Sequence, residues 1–199
     1  MENKIYKGRL SVRQITMIGM LSGISIFLGL TGLGFIPLPT MRATIMHIPV
    51  IIGAVIEGPV VGALVGLVFG LFSMYQNFTL PGPTSFIFMN PIIAIVPRIL
   101  IGLVAYYVYS LIRNKIKKES ISIAIAALLA TFTNTAGVLS LAYLFYLEKY
   151  SAALGINPDT AALAIAGIGI TNGIPEAIIS AVICVPVIIA IIKIKKGRN

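Results

Sequence analysis

Arg98 and Glu176 are the residues of this chain whose chemistry conflicts most with their surroundings. Arg98 stands in NPIIAIVPRILIGLVAYYVY, residues Asn90–Tyr109, a run that is otherwise greasy, and Glu176 stands in TNGIPEAIIS. A charge near the centre of a lipid-spanning helix costs about 2.5 kcal/mol or more on insertion scales, so it needs a partner or a purpose. Each of the two directly follows a proline, Pro97 and Pro175. Proline lacks the N–H that would bond the carbonyl four residues earlier, and a nearby polar group can take up that carbonyl. Counted along their apolar runs at about 1.5 Å per residue, the two side chains reach similar depths. The spacing predicts an Arg98–Glu176 pair that fastens two helices, lines a substrate cavity, or does both.

A second polar set falls toward one end of the apolar runs. It comprises Arg42, His47, Asn77, Asn90, Tyr143, Tyr146, Glu148, Thr171 and Asn172. Amides, phenols and a few charges converging on one leaflet are what a pocket for a small polar molecule requires. Asn134, in TFTNTAG, sits mid-run and is expected to bond across to a neighbouring helix. Arg42 and His47 near the surface would suit a carboxylate, and the other reading of the lone His47 is a hydrogen-bonded packing group. His47 is the only histidine, which excludes a histidine-rich metal site, and no sequence feature calls for a cofactor. A phosphate-binding G-x-x-x-x-G-K-[ST] loop, H-E-x-x-H and G-x-S-x-G are all absent from the sequence. Glu176 as the general base of an intramembrane enzyme remains an alternative, though no second carboxylate supports it.

These groups must be held by elements made for lipid. Of 199 residues, 58% are hydrophobic and only 11% charged, with a mean hydropathy of +1.00. A soluble domain carries about a quarter charged residues. A membrane helix needs about 20 mostly apolar residues, and six segments approach that requirement: residues 14–36, 43–56, 59–75, 85–112, 121–147 and 161–194. The predicted fold is an all-α membrane protein, a six-transmembrane-helix bundle in a single integral domain over 1–199. The second segment is short, and EGP at Glu57–Pro59 turns it tightly into the third.

The net charge of +9 is topological. Twelve of the fifteen Lys and Arg lie in three clusters beside apolar runs: Lys4, Lys7, Arg9 and Arg13; Arg113, Lys115, Lys117 and Lys118; Lys193, Lys195, Lys196 and Arg198. With six spans all three clusters share a side, which the positive-inside rule makes cytoplasmic, so both termini are expected inside. The basic, apolar N-terminus reads as a retained first helix, since its apolar run is long for a signal peptide and no A-x-A site closes it. The opposite side receives PLPTMR, QNFTLPGPT and EKYSAALGINPD, of which the last two read as long outer loops. Cys184, the only cysteine, is expected to fill a core position.

Glycines supply the sharpest pattern. Gly58, Gly62, Gly66 and Gly70 recur every four residues, and Gly19 and Gly23 make another G-x-x-x-G. Each stripe bares backbone along one helical face, for packing inside the bundle or against another membrane subunit.

The chain as a whole resembles the S components of energy-coupling-factor (ECF) vitamin transporters. The resemblance is carried by IMHIPVIIGAVIEGPVVGALVGLVFGLFS, NPIIAIVPRILIGLVAYYVYSLI, TFTNTAGVL and NGIPEAIISAVI. It implies a prokaryotic plasma-membrane protein that captures a water-soluble vitamin outside and delivers it by reorienting with its partners. Those partners would be a transmembrane coupling subunit and two cytoplasmic ATPases. The resemblance places the ligand near the outer face, walled by the last three spans and covered by outer loops. It also assigns Gly19 and Gly23 to the partner interface, at the place where the family carries A-x-x-x-A. It implies, too, that Arg98 and Glu176 serve the shared fold first. An anionic vitamin such as pantothenate is favoured by Arg42 and His47, with riboflavin, folate and pyrimidine precursors open. A membrane protein assembling through its glycine stripes without any ligand is the remaining alternative.

Overall fold

The computed structural model describes residues 10–38, 41–82 and 84–197. Helix α1, Val12–Thr31, opens with a capping box in which Ser11 and Gln14 satisfy each other's backbone N–H groups. It closes on Gly32 in the left-handed conformation, with φ of 73°. Beyond it Phe35–Leu38 (β1) pairs antiparallel with Met41–Thr44 (β2), Phe35 opposite Thr44. Helix α2, Ile48–Glu57, then leads through Gly58 into α3, Pro59–Thr79, with Pro59 in the first turn as expected. A four-residue helix α4, Ser85–Phe88, precedes α5, Pro91–Ile116. The chain ends in α6 (Glu119–Leu154), α7 (Pro158–Thr171) and α8 (Gly173–Lys196).

Apart from the hairpin the described chain is helical. Five segments are long and apolar enough to cross a membrane, Val12–Thr31, Pro59–Thr79, Pro91–Ile116, Glu119–Leu154 and Pro158–Lys196, beside the shorter apolar α2. Large apolar side chains such as Phe27, Leu144 and Val182 face outward, as in a protein dissolved in lipid.

Several predicted boundaries move, each for a local reason. The first run ends at Thr31 and the second helix begins at Ile48, because the intervening chain forms the hairpin. Asn90 caps Pro91 at the start of α5 and splits the segment predicted from residue 85. The last segment is broken at Asn172, between Gly173 and the upstream helix, three residues before Pro175. The largest correction concerns EKYSAALGINPD. Its helix-forming first half simply extends α6 to 36 residues, about 54 Å, leaving Gly155, Ile156 and the cap Asn157 as the connection. QNFTLPGPT likewise contributes its first four residues to α3.

The glycine patterns have opposite fates. A Cβ on Gly66 would collide with the carbonyl of Arg98, one on Gly70 would lie 2.7 Å from the carbonyl oxygen of Ala94, and one on Gly62 would strike Ala54. The α3 stripe is therefore used inside the bundle, backbone to backbone against α5 and beside α2. A Cβ on Gly19 or Gly23 would meet nothing within 4 Å, and both glycines are exposed.

Two apolar cores result. One joins α1, α2, α3, the second half of α5, the first half of α6 and the end of α8, around Ile51, Val61, Val65, Ile101, Ile123 and the buried Cys184. The other joins α4, Ile93 at the start of α5, the far half of α6 and α7.

Candidate functional site

Polar residues collect where the two cores part. On α5 Arg98 lies between Ile93 of one core and Ile101 of the other; on α6 Thr131 and Asn134 lie between Ala130 and Val138. Glu176, near the start of α8, falls between Ile165 of α7 and Cys184. His47 approaches from the N-terminus of α2. Three helices thus interrupt their apolar faces at one level, and a fourth adds an imidazole.

Arg98 is 6% exposed. Its Nη1 donates to the carbonyl of Ile93 at 2.9 Å. Ile93 lies four residues before Pro97, so this is the carbonyl that the proline leaves free. The guanidinium also rests near two rings, 5.6 Å from the Phe69 centroid and 5.2 Å from that of Phe88. Its Nε is buried without a partner.

The predicted Arg98–Glu176 ion pair does not form. Glu176, also buried, accepts the backbone N–H of Thr44 at 2.8 Å and makes no ion pair among the described residues. The hairpin supplies the reason. Its backbone presents an N–H beside the helix break, and a carboxylate bonded to that N–H is partly stabilised without direct contact with a cation.

His47 is 1% exposed and shares a hydrogen bond of 3.0 Å between Nε2 and Thr131 Oγ1. Its Nδ1 and the Oδ1 of Asn134 are, with Arg98 Nε, buried without partners. An unpaired buried polar atom costs about 1–3 kcal/mol. Three of the four such atoms among the described residues are on His47, Asn134 and Arg98, and the fourth is Ser22 Oγ on α1.

The remaining predicted residues divide. Asn90 donates from Nδ2 to the Tyr146 hydroxyl at 3.2 Å while its Oδ1 caps α5. Tyr146 also meets Phe86 of α4, and Lys149 sits 4.8 Å over the same Phe86 ring. These contacts pin α4 to the far end of α6. Tyr143 is exposed on α6, Asn77 donates to the Ser73 carbonyl of its own helix, and Asn172 sits at the α7–α8 break with its Oδ1 beside Thr171. The Arg42 side chain lies outside the described residues. Sequence reasoning missed Thr131, Phe69, Phe88 and Thr44 as neighbours of the charged groups. Phe88 carried a signal as one of several aromatics gathered at the outer ends of the apolar runs, and Phe69 as the residue directly before Gly70 of the glycine stripe.

The chain matches the family described as ECF transporter, substrate-specific component, over residues 13–188. It is 32% identical over 177 residues to the pantothenic acid transporter PanT of Lactococcus lactis subsp. cremoris (strain MG1363), covering 82% of each chain. It is 34% identical over 116 residues to the pantothenate transporter PanT of Leuconostoc mesenteroides subsp. mesenteroides, covering 55% of this chain and 57% of that one. A bundle made for lipid, a polar layer sealed between two cores, and a match over most of its length place this chain in the ECF transporter substrate-specific component family.

Proposed function

We propose that this chain captures pantothenate at the layer around Arg98 and delivers it across the membrane with an ATP-driven coupling module. The observation that carries the choice is a buried guanidinium that makes no direct ion pair among the described residues, Glu176 standing nearby but beyond contact. A buried cation left in that state is costly, and a ligand carboxylate would complete it with charge-assisted hydrogen bonds. His47 and Asn134 offer free polar atoms for the hydroxyls and amide of such a ligand. The names of both relatives agree with an anionic vitamin. In this reading Asn90 and Tyr146 hold α4 over the site, Glu176 holds the hairpin, and Arg42, Asn77, Tyr143 and Asn172 border the entrance.

The bundle crosses the membrane six times, α2 serving as the short second crossing and α7–α8 as the last. The three basic clusters and both termini lie in the cytoplasm. The uncovered face of α1, with Gly19 and Gly23, receives the transmembrane coupling subunit, and two cytoplasmic ATPases complete the complex.

The decisive measurement is calorimetry on the purified protein with pantothenate and with pantothenol, its uncharged alcohol analogue. Pantothenate should bind, and the alcohol should bind on the order of 10- to 100-fold more weakly, the worth of one hydrogen-bonded charge. Equal affinities would remove Arg98 from carboxylate recognition; no binding of either would end the pantothenate assignment.

A further inference from the structure

Two of the three ion pairs among the described residues share a single oxygen. Glu57 Oε1, at the end of α2, accepts from Arg13 Nη2 at 2.7 Å and Nε at 3.1 Å, and from Lys195 Nζ at 2.9 Å. The Lys195 ammonium also takes the Ile56 carbonyl at 3.1 Å, one of the last carbonyls of α2. The Glu57 side chain is 9% exposed, whereas those of Arg13 and Lys195 are 58% and 35% exposed. A buried carboxylate is thus neutralised from two sides by cations reaching in from solvent. Those cations belong to the first turn of α1 and the last turn of α8, opposite ends of the sequence.

The placement has a mechanical meaning. α1 packs on α2 and α3, while α8 packs on α2, α6 and α7. Along its exposed side α1 shows Ile15, Met20, Ile24, Phe27 and Leu30 with Gly19 and Gly23, and so has few neighbours to fix its tilt. Its only described ionic tie to the bundle is Arg13–Glu57. We propose that Glu57 is a positioning residue. It clamps the starting end of α1 and the finishing end of α8 to the α2–α3 turn, and so fixes the stance of the face that α1 offers to the coupling subunit.

The inference rests on the reading of α1 as the partner face, and the test separates the two. Spin labels at Thr16→Cys and Ile194→Cys report the α1–α8 distance, since both sites are exposed and the native Cys184 is buried. Arg13→Gln and Glu57→Gln should broaden the distance distribution, and Arg13→Lys should restore it. The same variants, co-expressed with the coupling subunit and ATPases of the same genome, should be retained in the complex about fivefold less, roughly one kcal/mol of coupling, with pantothenate affinity unchanged. An unaltered distance distribution overturns the clamp. A broadened one with full retention overturns its part in coupling. A native protein that retains no coupling module, with the distances responding as expected, overturns instead the assignment of α1 as partner face.

Discussion

Pro97 and Arg98 work as a unit. The proline removes the N–H that would have satisfied Ile93, and the next side chain curls back to donate to that carbonyl. The P-R dipeptide in an apolar run announced a freed carbonyl acceptor, and this much was legible in the sequence, although the donor that takes it up is Arg98 itself. The choice made by Glu176 was not, because its partner is a backbone N–H in a hairpin that no side-chain pattern advertised. The acid and the base nearest in depth, Glu176 and Arg98, were expected to pair, and backbone geometry decided otherwise. Consequences differ accordingly. Arg98→Leu should abolish pantothenate binding in calorimetry while moving the thermal midpoint by only a few degrees, since an apolar isostere relieves a buried charge even as it strands a carbonyl worth about 1–3 kcal/mol. A collapse of folding with Arg98→Leu would restore a primarily structural role. Glu176→Gln keeps an oxygen for Thr44 and should fold and bind nearly as the native protein does. Glu176→Leu should loosen the hairpin, seen as faster proteolysis near Thr44.

At the scale of elements, the α3–α5 seam is set by absent side chains. Gly62 and Gly66 lie so close to the α5 backbone that a single methyl group cannot be inserted without moving a helix. Gly66→Ala should lower stability by roughly 1–3 kcal/mol, the usual cost of overpacking a tight core, measured by thermal unfolding in detergent. Gly23→Ala should leave the same curve unchanged, because nothing lies within 4 Å of the added carbon. A reversed ranking would mean that the stripes were assigned the wrong way round. Periodicity revealed both stripes in advance, yet it did not say which would be spent internally; that depends on what α5 brings to the seam, notably Gly102 opposite Gly62. Helix existence was likewise readable from apolar runs, whereas ends were not. The sequence Glu148–Leu154 looks like a loop when judged by its polar residues and its place between spans, but its propensities are helical, and Gly155 with φ of 66° is the true stop.

For the whole molecule, composition alone settled the solvent, and the three basic clusters suggested a side. A green fluorescent protein fused after Asn199 should fluoresce, and alkaline phosphatase fused at the same place should stay inactive; the opposite pattern would invert the proposed topology. One further consequence comes from the brevity of α2. Ten residues rise about 15 Å, half of a hydrocarbon layer about 30 Å thick. On the proposed topology the hairpin takes up the rest of that crossing, and unpaired strand edges are not tolerated against acyl chains, so that half must be screened by protein or wetted. On the same proposal pantothenate reaches the Arg98 layer through that half, and Ile51, Val65 and Ile101 belong to the buried apolar core beyond it. On the proposed function, release calls for the body to tip within the lipid, and the rate of uptake should then follow acyl-chain length and fluidity more closely than the size of the vitamin, as uptake into vesicles of differing acyl-chain length would show.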